Sequence, residues 1–458
     1  MTAAATDLGT GEDSGRSAGG IGRAALLIGV ITAVANVVGF GRQLVFAHTV
    51  GASSLGTVYA TANQVPNIIY AIVLGGALTG MVVPVLAGPA LASTASAGRT
   101  PASAELAGAK DETRQTSSAL LTWTLLLLVP VSLVVALAAH PVVSVLLGHP
   151  QPAGADAGML ALGSRMLVVF SPQIVLYGLA VVGYGILQAH RRFAAPALAP
   201  ILSSIVVAAA YFVFVPLAHG HQVAGLPRPA ELMLSIGTTA GVAALAVTAL
   251  APLHRLKLRL RPALHFPPGV AARVRALALA GLAAVIAQNV ATVVVIVLAN
   301  SHGAPGALVL YNYGWQVFFV PYAVLAVPIA TSAFPVLSAS ASGDAEGAKG
   351  AARFDTAVAS STRGAMLVSW LGAALLIGAC VPAARVFLSH NTVTDRGPAD
   401  QLAWALAAFA PGLAGFGLAA NLSRVLFACR QTRAAAVVVA GGWLLVIAAD
   451  LVIVPLVS

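Results

Sequence analysis

The chain has 458 residues, 59% hydrophobic and 8% charged, with 24 Lys and Arg against 14 Asp and Glu for a formal net charge of +10. A soluble domain carries roughly 25% charged residues, so this composition excludes an ordinary soluble enzyme. It also excludes a soluble nucleic-acid binder, which would set a basic surface and aromatics on a hydrophilic fold.

In chain order, residues 1–23 predict a disordered polar tail; with Asp7, Glu12 and Asp13 it is too long and too acidic for a signal peptide, so the first apolar stretch reads as a retained span. A hydrocarbon core about 30 Å thick is crossed by about 20 apolar residues as helix. Eleven such spans are expected, near 24–46, 60–88, 118–139, 158–187, 196–217, 232–252, 275–299, 307–337, 364–388, 402–428 and 435–457. Between them, Pro89–Ser117 and Ala339–Arg363 are rich in Gly, Ala, Ser and Thr and read as loops. Cys380 and Cys429 fall in expected helices without metal-ligand spacing, so no metal site is expected.

Lys and Arg alternate across these spans. One set of tails and loops holds eighteen of them, including the run Arg255, Lys257, Arg259, Arg261, Arg273 and Arg275; the opposite set holds Arg228, Arg385 and Arg396. The excess places the N-terminus in the cytoplasm, and the net charge reads as topology and attraction to anionic lipid. Arg42, Arg165 and Arg424 lie within or at the ends of spans. Arg165, Arg385 and Arg424 read as interfacial anchors. Arg42 is open between an anchor and an anion-binding group in a cavity, because a guanidinium within a span must snorkel, pair or face water.

The chain also repeats. A shift of 252 positions lays Gln64 on Gln316, Val65 on Val317, Tyr70 on Tyr322 and Thr79 on Thr331, and Pro84-Val85-Leu86 nearly meets Pro335-Val336-Leu337. The expected fold is therefore an all-α polytopic membrane protein of two pseudo-symmetric lobes around a central cavity. Residues 24–253 form the first lobe, 254–274 a basic cytoplasmic linker, and 275–458 a second lobe of about five helices, one short of the first. Parallel repeats of this kind hold cargo between the lobes. Polar and breaking residues inside spans are the candidates: Asn63, Gln64, Pro66, Asn67, Tyr70, Gly75 and Gly76 in the second, and Asn312, Gln316, Pro321 and Pro328 in the eighth. Proline removes a donor and loosens a helix, so Pro66, Pro321 and Pro328, with Gly75 and Gly76, are candidate bending points. The alternative for each is plain helix packing, with Asn and Gln bonding across helices and Gly allowing close contact. Asp450 is an intramembrane carboxylate, open between a carrier of protons or cations and a neutral hydrogen-bonded group.

Several motifs go further. The run Val38-Gly39-Phe40-Gly41-Arg42 leading to Val50-Gly51-Ala52 is followed by Ala62-Asn63-Gln64-Val65-Pro66-Asn67. Later come Ile186-Leu187-Gln188, Phe193 through Pro200, Tyr311-Asn312-Tyr313-Gly314-Trp315, and Phe334 through Ser338. In order and over essentially the whole chain these resemble the MviN/MurJ family of lipid II flippases in the MOP exporter superfamily, in its actinobacterial form. The resemblance implies a MATE-like pair of lobes in the bacterial cytoplasmic membrane. Their cationic cavity would carry the head of a polyprenyl-diphosphate-linked glycan precursor to the outer leaflet for cell-wall synthesis, without catalysis. Arg42 matches one cavity arginine of the family, and with Asn36, Asn63, Gln64, Asn67, Tyr70, Asn312 and Gln316 it makes up the candidate cavity set. Other family charges are replaced: Arg by Asn36, Tyr70 and Gln316, Glu by Gly75, and an acidic residue by Thr57. Two other readings therefore stay open, an exporter of another lipid-linked glycan or amphiphile, and a non-transporting scaffold of the cell-envelope machinery. The expected partners are the glycan precursor, membrane lipid and cell-wall synthesis proteins, with no nucleic acid. No cofactor is expected; the sequence has no GxxxxGK[ST] loop, and the family implies coupling to the membrane potential or an ion gradient.

Overall fold

The computed structural model describes residues 12–73, 103–148, 156–190, 192, 194–256, 262–265, 270–326, 337, 348–388, 397–429 and 431–457. Among them the fold is all helix: α1 (Glu12–Thr49), α2 (Ser54–Ile72), α3 (Ser103–Leu137), α4 (Ala139–Leu147), α5 (Asp156–Phe170), α6 (Gln173–Ala189), α7 (Ala194–Ala218), α8 (Arg228–Leu250), α9 (Val270–His302), α10 (Ala307–Pro321), α11 (Ala348–Leu388), α12 (Gly397–Phe409), α13 (Gly412–Ala428) and α14 (Thr432–Val457). A 3₁₀ turn, Ala251–Leu256, follows α8, and a π-helical turn, Tyr322–Ala326, follows Pro321. Eight helical segments are long and apolar enough to cross a membrane, or nine if α12 and α13, bent by 41° at Ala410-Pro411, form one span. The expected second and eighth spans run partly outside the described residues.

Helices begin earlier than the polar stretches predict. α1 starts at Glu12, α3 at Ser103 and α11 at Ala348, so much of the sequence read as tail and loop is helical. The starts of α3 and α11 carry several Ala, the best helix former, and each of the three segments continues a long apolar helix, so no new nucleus is needed. In the stretch between α8 and α9, residues 263 and 264 are bonded to α3: Trp123 Nε1 donates to Leu264 O (3.0 Å), and Ala263 N–H donates to Thr122 Oγ1 (3.1 Å).

Local chemistry sets the ends that matter for the site. α1 stops where Val50 and Gly51 N–H both donate to Phe46 O (2.9 and 3.0 Å), with Gly51 at φ +73, a left-handed helix exit that favours glycine. Ser53 then caps α2, its Oγ accepting from Gly56 N–H at 3.1 Å. The fourth expected span is broken at Ser171-Pro172 between α5 and α6. Ser132 Oγ of α3 donates to Ser171 O (2.8 Å), Gln173 Nε2 donates to Thr239 Oγ1 (3.0 Å), and Thr239 Oγ1 donates to Val169 O (3.0 Å). Neighbouring helices thus satisfy the groups that the break exposes, as lipid requires.

α1 to α8 pack mainly among themselves, with α7 against both α1 and α8 and α3 against α6; α9 packs on α14, and α11 on α12 and α13. Small residues permit the closest approaches: a Cβ at Gly183 of α6 would lie 2.9 Å from the Ala249 Cβ of α8. Contacts between the first eight helices and the rest run from α2 and α4 to α9, from α2 to α10, and from α1 to α11.

Those contacts gather at one end of the bundle. Gly306 N–H donates to Thr57 Oγ1 (3.0 Å), and Asn300 Nδ2 donates to Thr61 Oγ1 (3.0 Å) and Leu146 O (2.8 Å), all buried. Gly306 has φ +94, and a Cβ there would sit 2.5 Å from Ala52 O. Beside this seam the rings of Phe46, Tyr313, Phe387 and Phe40 run in sequence, with centroids 6.5, 4.9 and 5.4 Å apart. Thr57, where the family pattern expects a carboxylate, here supplies a hydroxyl that joins the two halves.

Arg165 differs from its reading as an anchor. It forms a bidentate pair with Glu231 in the first turn of α8, Nε to Oε1 and Nη2 to Oε2 both at 2.8 Å, and the Glu231 side chain is only 7% exposed. The sequence hid this because the partners are 66 positions apart and Glu231 sits just ahead of an apolar run. The guanidinium is half exposed, so Glu231→Ala should cost about 1–3 kcal/mol, below the range for a fully buried pair. A lowered melting temperature of the detergent-purified protein is the check; no change would make the pair energetically neutral.

Candidate functional site

A cavity of about 320 Å³ lies where α1, α2, α6, α7, α8 and α10 converge. Arg42 and Gln43 reach it from α1, Asn63, Gln64 and Asn67 from α2, and Asn312 and Gln316 from α10; tyrosines 59, 177, 211 and 313, Ser203, Thr238 and Trp315 complete its polar and aromatic wall. Gln64 and Gln316, related by the shift of 252, face the same space.

The helical period explains this convergence. Ala60, Asn63, Gln64 and Asn67 recur at three- and four-residue steps on one face of α2. Asn312 and Gln316 do the same on α10. Pro66, buried within α2, and Pro321, at the end of α10, lie beside these stripes. The π-helical turn directly after Pro321 marks a local departure from regular helix. Gly75, Gly76 and Pro328 lie outside the described residues.

Of the remaining candidates, Asn36 lies on an exposed face of α1, two turns before Arg42 and away from the cavity. Tyr70 is not in the wall either; it stacks on Tyr177, centroids 4.3 Å apart, from one turn further along α2. Asp450 opens instead onto a separate, mainly apolar pocket of about 480 Å³ with His302 and Tyr311. Among the described residues no group of three or more His, Cys, Asp or Glu is placed to hold a metal ion.

Among the described residues, Arg42 is the only charged one in the cavity wall. Its Nε is buried and makes no hydrogen bond with the protein, and its charge acts on the hydroxyls of Tyr59, Tyr177 and Tyr211. Asn63 Oδ1 and Tyr313 Oη are also buried without a protein partner. Buried polar groups usually find partners, and this cavity gathers donors and acceptors that have none within the described protein.

Among the wall residues that escaped the sequence reading are Tyr59, Tyr177, Tyr211 and Thr238. Tyr59 Oη lies 2.8 Å from both Tyr211 Oη and Thr238 Oγ1, and Tyr177 Oη donates to Asn67 Oδ1 at 3.1 Å. The one available signal was that a tyrosine inside an apolar span needs a partner for its hydroxyl.

The family profile described as "Lipid II flippase MurJ" matches residues 46–458. A curated relative from Synechocystis sp., named "Probable lipid II flippase MurJ", is 27% identical over 336 residues, which make up 71% of this chain and 57% of that protein. The chain thus spans a little over half the length of that relative. Among solved structures, a lipid II flippase MurJ in an inward closed conformation superposes with a TM-score of 0.68 at 17% identity, covering 93% of this chain and 81% of the other. An inward-facing multidrug resistance MATE transporter of the MOP superfamily gives 0.66 at 15% identity, covering 90% and 84%. With the fold shared by both structures and the family match running over nearly the whole sequence, this chain is a multi-pass membrane protein that belongs to the MurJ lipid II flippase family.

Proposed function

We propose that this protein is a flippase that carries lipid II, a polyprenyl-diphosphate-linked peptidoglycan precursor, from the inner to the outer leaflet of the cytoplasmic membrane. The observation that carries the reading is Arg42, the single charge among the described residues of a polar cavity, with its Nε unspent. A diphosphate suits it, since guanidinium stays charged and binds paired oxygens in a fork. A glycan-peptide head cannot cross hydrocarbon unaided, and a cavity lined with Asn, Gln and Tyr exchanges hydrogen bonds with water for bonds with protein. We read the N-terminus as cytoplasmic, as the distribution of Lys and Arg supports, and the seam at Thr57, Thr61, Asn300 and Gly306 as the outer end; its buried hydrogen bonds support a state closed on that side. Transport then runs on the membrane potential or an ion gradient.

One observation favours a second cargo. A single arginine amid neutral residues suits a lipid-linked glycan or amphiphile with less negative charge than lipid II. Depleting the organism's recognised flippase, with this chain as sole replacement, separates the two. Continued growth without lipid II accumulating on the cytoplasmic side is the expected result. Accumulation despite correct insertion and folding would reject lipid II as cargo and leave the less anionic one.

A further inference from the structure

The hydrogen bonds behind the cavity wall have a fixed direction, and that direction carries information about the cargo. Thr238 Oγ1 donates its proton to the Leu234 carbonyl (2.7 Å). A hydroxyl has one proton to give, so in its 2.8 Å contact with Tyr59 Oη Thr238 must accept. Tyr59 spends its proton there and accepts in turn from Tyr211 at 2.8 Å. Protons therefore run Tyr211 to Tyr59 to Thr238 to the backbone. A second relay has the same sense. Asn67 Nδ2 donates to Asn63 O (2.9 Å), which turns the Asn67 Oδ1 toward Tyr177, and Tyr177 Oη donates to it at 3.1 Å.

Tyr211 and Tyr177 thus spend their protons within the wall, on Tyr59 and Asn67, and keep lone pairs. The buried, unpartnered Asn63 Oδ1 adds another acceptor, and all line the cavity that Arg42 enters; Tyr313 Oη, unpartnered in the same wall, keeps a proton to give. A cation that shares its cavity with these acceptors fits a ligand in which an anionic group sits next to hydrogen-bond donors, as a sugar phosphate bearing hydroxyl and amide N–H groups does. A bare phosphate offers nothing to the acceptors. Resting on the lipid II reading above, we infer that Tyr177 and Tyr211 are specificity-determining residues that read hydroxyl or N–H donors on the glycan beside the diphosphate, and so distinguish glycosylated carrier lipid from carrier lipid diphosphate alone.

The test compares binding of undecaprenyl diphosphate and of lipid II to the full chain in nanodiscs. The intact protein should prefer lipid II. In a Tyr177→Phe, Tyr211→Phe double variant that preference should fall roughly ten- to hundredfold, as two lost hydrogen bonds imply, with undecaprenyl diphosphate still bound as before. Thr238→Val separates direction from packing: Tyr177 and Tyr211 both remain, but Tyr59 loses its acceptor and turns its proton to Tyr211, so the preference should weaken although no tyrosine hydroxyl is removed. Unchanged preference in both variants, with unchanged melting temperature, overturns the inference and leaves the flippase reading standing. Failure of the intact protein to bind either lipid overturns the flippase reading itself.

Discussion

Gly306→Val should open the seam between the two sets of helices. Two costs combine at this one position. An L side chain at φ +94 is strained by about 1–2 kcal/mol, and its Cβ would sit 2.5 Å from the Ala52 carbonyl oxygen and 2.7 Å from the carbonyl carbon. Both atoms belong to backbone between α1 and α2, so no side-chain rotation relieves the overlap. The Gly306 N–H to Thr57 bond must lengthen with it, and Asn300, which spends both its donor contacts across the same seam, follows. The described state should lose several kcal/mol relative to a state with this end parted. A cysteine at Asn63, with Cys380 and Cys429 replaced, should then react faster with a membrane-impermeant maleimide added outside. Asn300→Ala should act in the same direction but more weakly. Labelling at the unaltered rate in folded Gly306→Val would mean that this seam does not close the cavity.

Arg42→Ala is expected to abolish rescue of a flippase-depleted strain and to weaken binding of undecaprenyl diphosphate by about 10²-fold. The estimate follows from losing charge-assisted hydrogen bonds worth about 1.5–3 kcal/mol, at 1.4 kcal/mol per tenfold. No second cation in the described wall can substitute. Arg42→Lys keeps the charge but loses the fork and should bind about tenfold more weakly than the native chain. Its Nε makes no hydrogen bond within the protein, so Arg42→Ala should leave the melting temperature nearly unchanged. Wild-type rescue by a well-inserted Arg42→Ala variant would remove Arg42 from cargo recognition.

Much of the cavity was legible because helical spacing is a local property. Asn63, Gln64 and Asn67 on α2, and Asn312 and Gln316 on α10, sit at steps that put them on one face, and polar residues on one face of an apolar helix need a polar neighbour. Arg42 stood out for the same reason, as a charge with no local partner. Asn36 misled: it stands at a family arginine position, but six residues before Arg42 on the same helix it turns to the exposed face.

The apolar runs and the distribution of Lys and Arg by themselves determined a multi-pass helical membrane protein, since span length follows from bilayer thickness. The repeat and the motifs pointed to its family. Tertiary structure alone decided which residues meet across long separations: Arg165 with Glu231, Thr57 with Gly306, Tyr59 with Tyr211 and Thr238. Nothing in the local sequence of any member names its partner. Their meaning comes from burial and a partner 66 to 249 positions away, which depends on how helices cross, and no local period of the sequence encodes that.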